Sequence, residues 1–314
     1  MMSRQFIKKI QTCATRSSIL AHINPQLFDV SLRDGIQNAD HNKWTTDLKM
    51  STFRKIVSTE NPRAIEIGSL VSPKILPIMS DSLYMHSYAK SHITAMKCNE
   101  EFSRDPKIYM LVPSLSKLQT AIYHGVRNVS LITSVSEAFQ RKNTNRTLEQ
   151  TKRELKQMLT TIKQYPYIRT KLYVSCIMEC PISGKQDVDY VLRELLIYHF
   201  VYEVDELCIS DTCGTLDPED YEYLVDALIH FGVPASKLLV HLHVSETNRE
   251  NIRQILWYSF QKRIRKFDVS MVETGGCSVT MQPDQRLPNL SYELFYHYLE
   301  RYIETYMEIY NPDK

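Results

Sequence analysis

Glycine is scarce in this chain, with eight among 314 residues, and no GxGxxG run follows the first apolar segment. That excludes the phosphate-binding turn by which a Rossmann-like sheet holds a dinucleotide. CxxC spacing is absent too. The seven cysteines, an odd number scattered from Cys13 to Cys277, fit reduced thiols in an intracellular chain better than a disulfide framework or a structural zinc site. No apolar run reaches the roughly 20 residues that span a bilayer, so no membrane partner is expected. Charge of neither sign prevails: the formal net charge is +2, which gives no reason to expect nucleic acid as a partner. Internal repeats, linkers and low-complexity segments are missing as well.

What is present is alternation. Short apolar runs occur at 27–32, 64–68, 108–112, 128–133, 171–177, 206–210, 238–243 and 267–272, with longer amphipathic stretches between them. Eight strand–helix units in a chain of this length point to one closed (β/α)8 TIM barrel rather than an open doubly wound sheet. Leu148, Leu155, Met158, Leu159 and Ile162 recur at helical spacing and predict a helix over 147–164. Tyr298, Tyr302, Tyr306 and Tyr310 fall four apart, the stripe of a docked C-terminal helix. A single catalytic domain over 27–314 is expected. Residues 1–26 form a basic lead-in, with Arg4, Lys8, Lys9 and Arg16 and no acid before Asp29. It is short and poor in arginine for a presequence, so a cytoplasmic location is expected, with the mitochondrial matrix as the alternative.

In a barrel of this kind chemistry belongs at the C-terminal ends of the strands, where the loops surround the axis. The first apolar run leads into Arg33, Asp34, Gly35, Ile36, Gln37 and Asn38, which sets a cation beside an anion. The seventh ends in His241-Leu242-His243; strand alternation turns both imidazoles to one side, where they can share a metal ion. An aspartate at the end of the first strand completes a mixed nitrogen and oxygen set that suits Mg2+ or Mn2+. The second run carries Glu66 and then Ser69, the sixth ends in Ser210-Asp211-Thr212, and Gly275-Gly276-Cys277 follows the eighth. Each has a bland reading taken singly: a surface ion pair for Arg33 and Asp34, a partner for a buried arginine at Glu66, a helix cap at Asp211, a small core residue at Cys277.

Taken in order, these segments resemble the 3-hydroxy-3-methylglutaryl-CoA lyase family of barrel metallolyases. The resemblance runs from about residue 28 to 295 through RDGIQN (33–38), IEIGSLVSPKILP (65–77), SEAFQRKNTN (136–145), SCIMECPISGK (175–185), SDTCGT (210–215), HLH (241–243) and GGC (275–277). It implies that Asp34, His241 and His243 ligate a divalent cation, with Asn289 as the fourth protein ligand after a short insertion. It also implies that Arg33 stabilises an enolate oxygen beside Glu66, that Cys277 is the loop cysteine associated with catalysis, and that Asp211, Gln37 and Ser69 complete the site. The implied substrate is an acyl-CoA thioester, 3-hydroxy-3-methylglutaryl-CoA, cleaved to acetoacetate and acetyl-CoA, and a homodimer is expected.

The chain departs from that family at several points. HxHDTxG is replaced by His243-Val244-Ser245-Glu246-Thr247; Ala39 and Asp40 follow RDGIQN where an acid and a lysine are usual; Ser114 stands where the family has asparagine. The glycine-rich stretch expected after Cys277 is SVTMQPDQRLPN, stiffened by Pro283 and Pro288. Two alternatives therefore stand beside the lyase: an acyl-CoA condensing synthase or aldolase of the same barrel group, and a catalytically degenerate binding protein.

Overall fold

The computed structural model describes residues 15–98, 105–276 and 280–310. Eight parallel strands close into a barrel in chain order: β1 (Gln26–Asp29), β2 (Ala64–Ser69), β3 (Lys107–Leu111), β4 (Asn128–Ser134), β5 (Arg169–Ser175), β8 (Glu206–Ser210), β9 (Leu238–His241) and β10 (Lys266–Val269). Closure is made by β10 against β1, with Gln26 paired to Lys266 and Asp29 to Val269. Between β5 and β8 lies a small antiparallel hairpin, β6 (Glu179–Cys180) and β7 (Gly184–Lys185). Each apolar run read from the sequence supplies one barrel strand.

The strand ends differ from the sequence reading for a local reason. The first run was expected to stay extended to residue 32, yet β1 stops at Asp29 and the chain turns into a π-helical turn over Ser31–Gly35. The Asp29 carboxylate accepts the Ser31 amide and the Ser31 hydroxyl, both at 2.9 Å, which closes an Asx turn and diverts the backbone from the sheet. The same device ends three other strands: the hydroxyl oxygens of Ser69, Ser134 and Ser270 accept the amides of Val71, Ser136 and Val272. Hence β10 ends at Val269 rather than at residue 272. Side-chain oxygens at the top of the barrel thus release the loops that carry the functional groups.

Alternation along the strands sorts residues into two layers. Outward residues such as Ile65, Ile67, Leu172, Val174, Leu207 and Ile209 pack under the helices as the main core. Inward residues form a smaller cluster with Phe28, Tyr109, Leu111, Tyr173, Cys208 and Leu239. It is smaller because the inward register also carries Glu66, Lys171, His241 and Asp268, all buried.

The helices are specified locally. Leu148–Ile162 begins with a capping box between Thr147 and Gln150 and buries Leu155, Met158, Leu159 and Ile162; burial of each such side chain contributes roughly 1.5–3 kcal/mol. The terminal helix Tyr292–Tyr310 buries Tyr298, Tyr302 and Tyr306 on one stripe, and the Trp257 indole donates to the Tyr298 carbonyl. Arg16–Ile23 is a short helix that joins the core through Ile19 and Ile23, while the basic lead-in before residue 15 lies outside the described residues. Among the described residues no helix is long and apolar enough to cross a membrane.

Candidate active site

The π-helical turn after β1 presents Arg33 and Asp34 side by side at the barrel mouth, 6% and 5% exposed. Arg33 donates from Nε to Glu66 Oε2 and from Nη1 to Asp34 Oδ1, both at 2.5 Å. Gln37 Nε2 donates to the same Asp34 oxygen at 2.9 Å. This leaves Asp34 Oδ2 buried without a hydrogen-bond partner. His241 closes β9 and His243 lies two residues on, and both direct Nε2 at that oxygen, from 3.9 Å and 3.6 Å.

His243 is oriented by a backbone carbonyl: its Nδ1 lies 2.8 Å from the Asp211 oxygen. A carbonyl only accepts, so Nδ1 carries a proton, and in the neutral ring Nε2 is the lone pair. That Nε2 is buried with no hydrogen-bond partner, as is the Asn289 Oδ1. Asn289 is brought to the site by pairing with His243 in an isolated antiparallel bridge.

Charge follows this geometry. Burial is the largest single influence on the Asp34 carboxyl and raises it, but the Arg33 guanidinium together with the His243 and His241 imidazoles outweighs it and holds the group well below the usual carboxylate range. Burial pushes His241 down. His243 is raised in spite of its burial, because the Asp34 carboxylate faces it. Asp34, His241 and His243 form the one group of potential metal ligands among the described residues whose ligand atoms all lie within 4.8 Å of one another. Two unpaired imidazole and carboxylate atoms, with a third unpaired amide oxygen on the paired strand, are a donor set suited to a divalent cation of the Mg2+ or Mn2+ class.

These groups form the floor of a cavity of about 670 Å3. Arg33, Asp34, Gln37, Ser69, His241 and His243 line it, apolar lining comes from Leu70, Ile75, Leu76, Leu111 and Phe139, and Lys117, Lys142 and Arg146 line it as well. The loop above is tied down from the first turn: Gln37 Nε2 and Asn38 Nδ2 each donate to the Gly276 carbonyl at 2.6 Å, and the Thr274 hydroxyl donates to Gly35. Cys277 lies outside the described residues.

Nine of the ten site residues read from the sequence can thus be placed, and most converge. Asp211 is the exception in orientation. Its carboxylate accepts the amides of Thr215 and Leu216 and shapes the loop before the helix Pro218–His230; burial pushes it up to about 6. Its contribution to the mouth is the carbonyl that orients His243. Sequence reasoning missed three inward residues: Lys171 and Tyr173 on β5 and Asp268 on β10. Lys171 Nζ lies 2.6 Å and 2.8 Å from the two Asp268 oxygens and 2.8 Å from the Tyr173 hydroxyl, which in turn donates to Glu66 Oε2 at 3.0 Å. A lysine two residues from a tyrosine, and an aspartate inside KFDV, were the available signals.

Comparison with known proteins agrees with this layout. Residues 24–247 match the HMGL-like family. The chain is 30% identical over 257 residues to a mitochondrial hydroxymethylglutaryl-CoA lyase of Arabidopsis thaliana, over 80% of this chain and 50% of that protein. It is 29% identical to a cytoplasmic 3-hydroxy-3-methylglutaryl-CoA lyase of Danio rerio, over 80% of this chain and 70% of that one. The crystal structure of the Bacillus subtilis HMG-CoA lyase superposes with a TM-score of 0.72 at 26% identity, covering 89% of this chain and 86% of that one. The chain therefore spans about half the length of the plant relative and more than two thirds of the fish one.

Proposed function

Because the chain belongs to the HMGL-like family, we propose that its barrel mouth is a divalent-metal-dependent carbon–carbon lyase site, acting on 3-hydroxy-3-methylglutaryl-CoA or a related 3-hydroxyacyl-CoA and releasing acetoacetate and acetyl-CoA. The observation that carries this reading is the convergence of Arg33 with the unpaired Asp34 Oδ2 and His243 Nε2 on the floor of one cavity. Asp34, His241 and His243 would hold the cation, with Asn289 as a further ligand. When bound, a divalent cation polarises the hydroxyl and carboxylate oxygens of such a substrate and eases loss of the hydroxyl proton.

The remaining work falls to the chain's own groups. Cleavage of a tertiary β-hydroxy thioester removes the hydroxyl proton and leaves the departing thioester carbon as an enolate. His241 or Asp34 would accept that proton, through the nitrogen or oxygen that it turns toward the cation site. Arg33, held rigid by Glu66 and Asp34, offsets charge that builds on the enolate oxygen. Cys277, which follows Gly276 in the sequence, would return a proton to the carbon. Gln37 and Ser69 border the reacting end, and Lys117 and Lys142 supply positive charge that suits the phosphates of a CoA carrier.

The test is to incubate the purified protein with Mn2+ or Mg2+ and 3-hydroxy-3-methylglutaryl-CoA and to follow acetoacetate, beside Asp34→Ala and Cys277→Ala. Metal-dependent acetoacetate formation by the wild type and its loss in Asp34→Ala are expected. Metal binding with turnover of a different acyl-CoA and no acetoacetate would favour the condensing alternative, and absence of metal binding would sink both enzyme readings.

A further inference from the structure

His241 differs from His243 in what stands behind it. Its Nδ1 faces Asp268 Oδ2 at 2.9 Å, and Asp268 is clamped in turn by Lys171, whose ammonium reaches both carboxylate oxygens. Lys171 is fully buried, its third contact is the Tyr173 hydroxyl at 2.8 Å, and its nitrogen sits 3.5 Å from the centre of the Phe28 ring. With three acceptors in place the ammonium has no spare proton and no room to swing. A buried ion pair of this kind contributes little net stability compared with an apolar pair of the same volume, so its consequence is to be sought in what it orients.

We propose that Lys171 and Asp268 are positioning residues that act as a unit to fix the tautomer of His241. A carboxylate held by an ammonium presents only acceptors, so Nδ1 must donate and Nε2 is left unprotonated toward Asp34 Oδ2, 3.9 Å away. The tautomer part stands on hydrogen bonding alone, while its consequence for metal affinity rests on the proposed metal reading. Lys171 is needed as well as Asp268. In Asp268→Asn the ammonium claims the new amide oxygen, which turns the amide NH2 toward His241 Nδ1 and forces the proton onto Nε2, where it blocks the ligand atom.

The test reads the imidazole directly. Metal-free protein labelled with 15N-histidine reports the His241 tautomer by long-range NMR correlation, assigned through His241→Gln, and Mn2+ affinity is measured by calorimetry on the same samples. The wild type is expected to show His241 protonated at Nδ1. Asp268→Asn is expected to show Nε2–H, with Mn2+ affinity weakened about 10–100-fold. Lys171→Met combined with Asp268→Asn removes the ammonium that dictates the amide orientation and is expected to return His241 to Nδ1–H and recover affinity relative to Asp268→Asn. A purely structural pair would alter stability in these variants and leave the tautomer alone. An Nε2–H tautomer in the wild type, or an unchanged tautomer in Asp268→Asn, overturns the proposal, and a double variant that stays Nε2–H overturns the part of Lys171. A wild type that shows Nδ1–H but binds no Mn2+ upholds the positioning and refutes the metal reading.

Discussion

Replacement of Arg33 by methionine separates what this residue does for the fold from what it does for chemistry. Arg33 lies between Glu66 and Asp34 at 2.5 Å from each, and Glu66 is completely buried. Opposite charges about 4 Å apart attract by about 4 kcal/mol at an effective dielectric near 20. Removing the cation strands Glu66, which keeps one hydrogen bond from Tyr173 while its Oε1 already has no partner. Truncating one member of such a buried pair costs about 3–5 kcal/mol. Urea unfolding followed by circular dichroism in chelator-containing buffer is expected to show a loss of this size for Arg33→Met, and Glu66→Gln added to it is expected to restore part of the stability, because Asp34 still lacks its cation. On the proposed function, acetoacetate formation is expected to be absent in both, since the guanidinium assigned to the enolate is gone in each. An Arg33→Met protein as stable as the wild type, or a double variant no better than the single one, would refute the ionic description of the barrel interior.

The buried Asp29 supplies a pH signature. Burial pushes its carboxyl up to about 7 from an ordinary 3.8, so between those values the folded state holds a proton that the unfolded chain releases. Its contribution to stability is present below about pH 4 and is lost as pH rises through about 7, by at most about 4 kcal/mol for a shift of this size. The stability difference between wild type and Asp29→Asn, measured by urea midpoints at pH 4.5 and pH 8, should shift against the wild type at the higher pH, and a difference independent of pH would contradict this. Gly275 tests the placement of Asn289: a β-carbon there would come within 2.6 Å of Asn289 Nδ2 and 3.1 Å of its Cγ and backbone nitrogen. Gly275→Ala is therefore expected to displace the Asn289 amide and weaken Mn2+ binding at least tenfold, in the range seen when groups around a metal site are disturbed, with the circular dichroism spectrum unchanged; full affinity would remove Asn289 from the ligand set.

The barrel was legible because its signals are periodic and local. All eight apolar runs became strands, and the helix over 147–164 was marked by the spacing of its apolar residues and is found at Leu148–Ile162. Strand ends were less legible, because the Asx and serine turns at Asp29, Ser69, Ser134 and Ser270 look like ordinary polar residues until the loop they bend is seen. The His241 and His243 pair was readable from alternation alone, and the structure brings it to Asp34 across most of the chain. Lys171 and Asp268 were not readable in this way. They lie 97 residues apart and meet only because closure of the barrel turns both inward. Asp211 shows the converse: its place at a strand end suggested chemistry, whereas its carboxylate serves the loop and its carbonyl serves His243.

Every step proposed for the mouth requires one cation held by Asp34, His241 and His243, so a calorimetric titration of the chelator-treated protein with Mn2+ bears on it most directly. One site per chain is expected in the wild type, with binding abolished in Asp34→Ala and in His243→Ala while both variants keep the wild-type circular dichroism spectrum. Wild-type protein that takes up no Mn2+, or variants that bind it as tightly as the wild type, would contradict the metal centre described here.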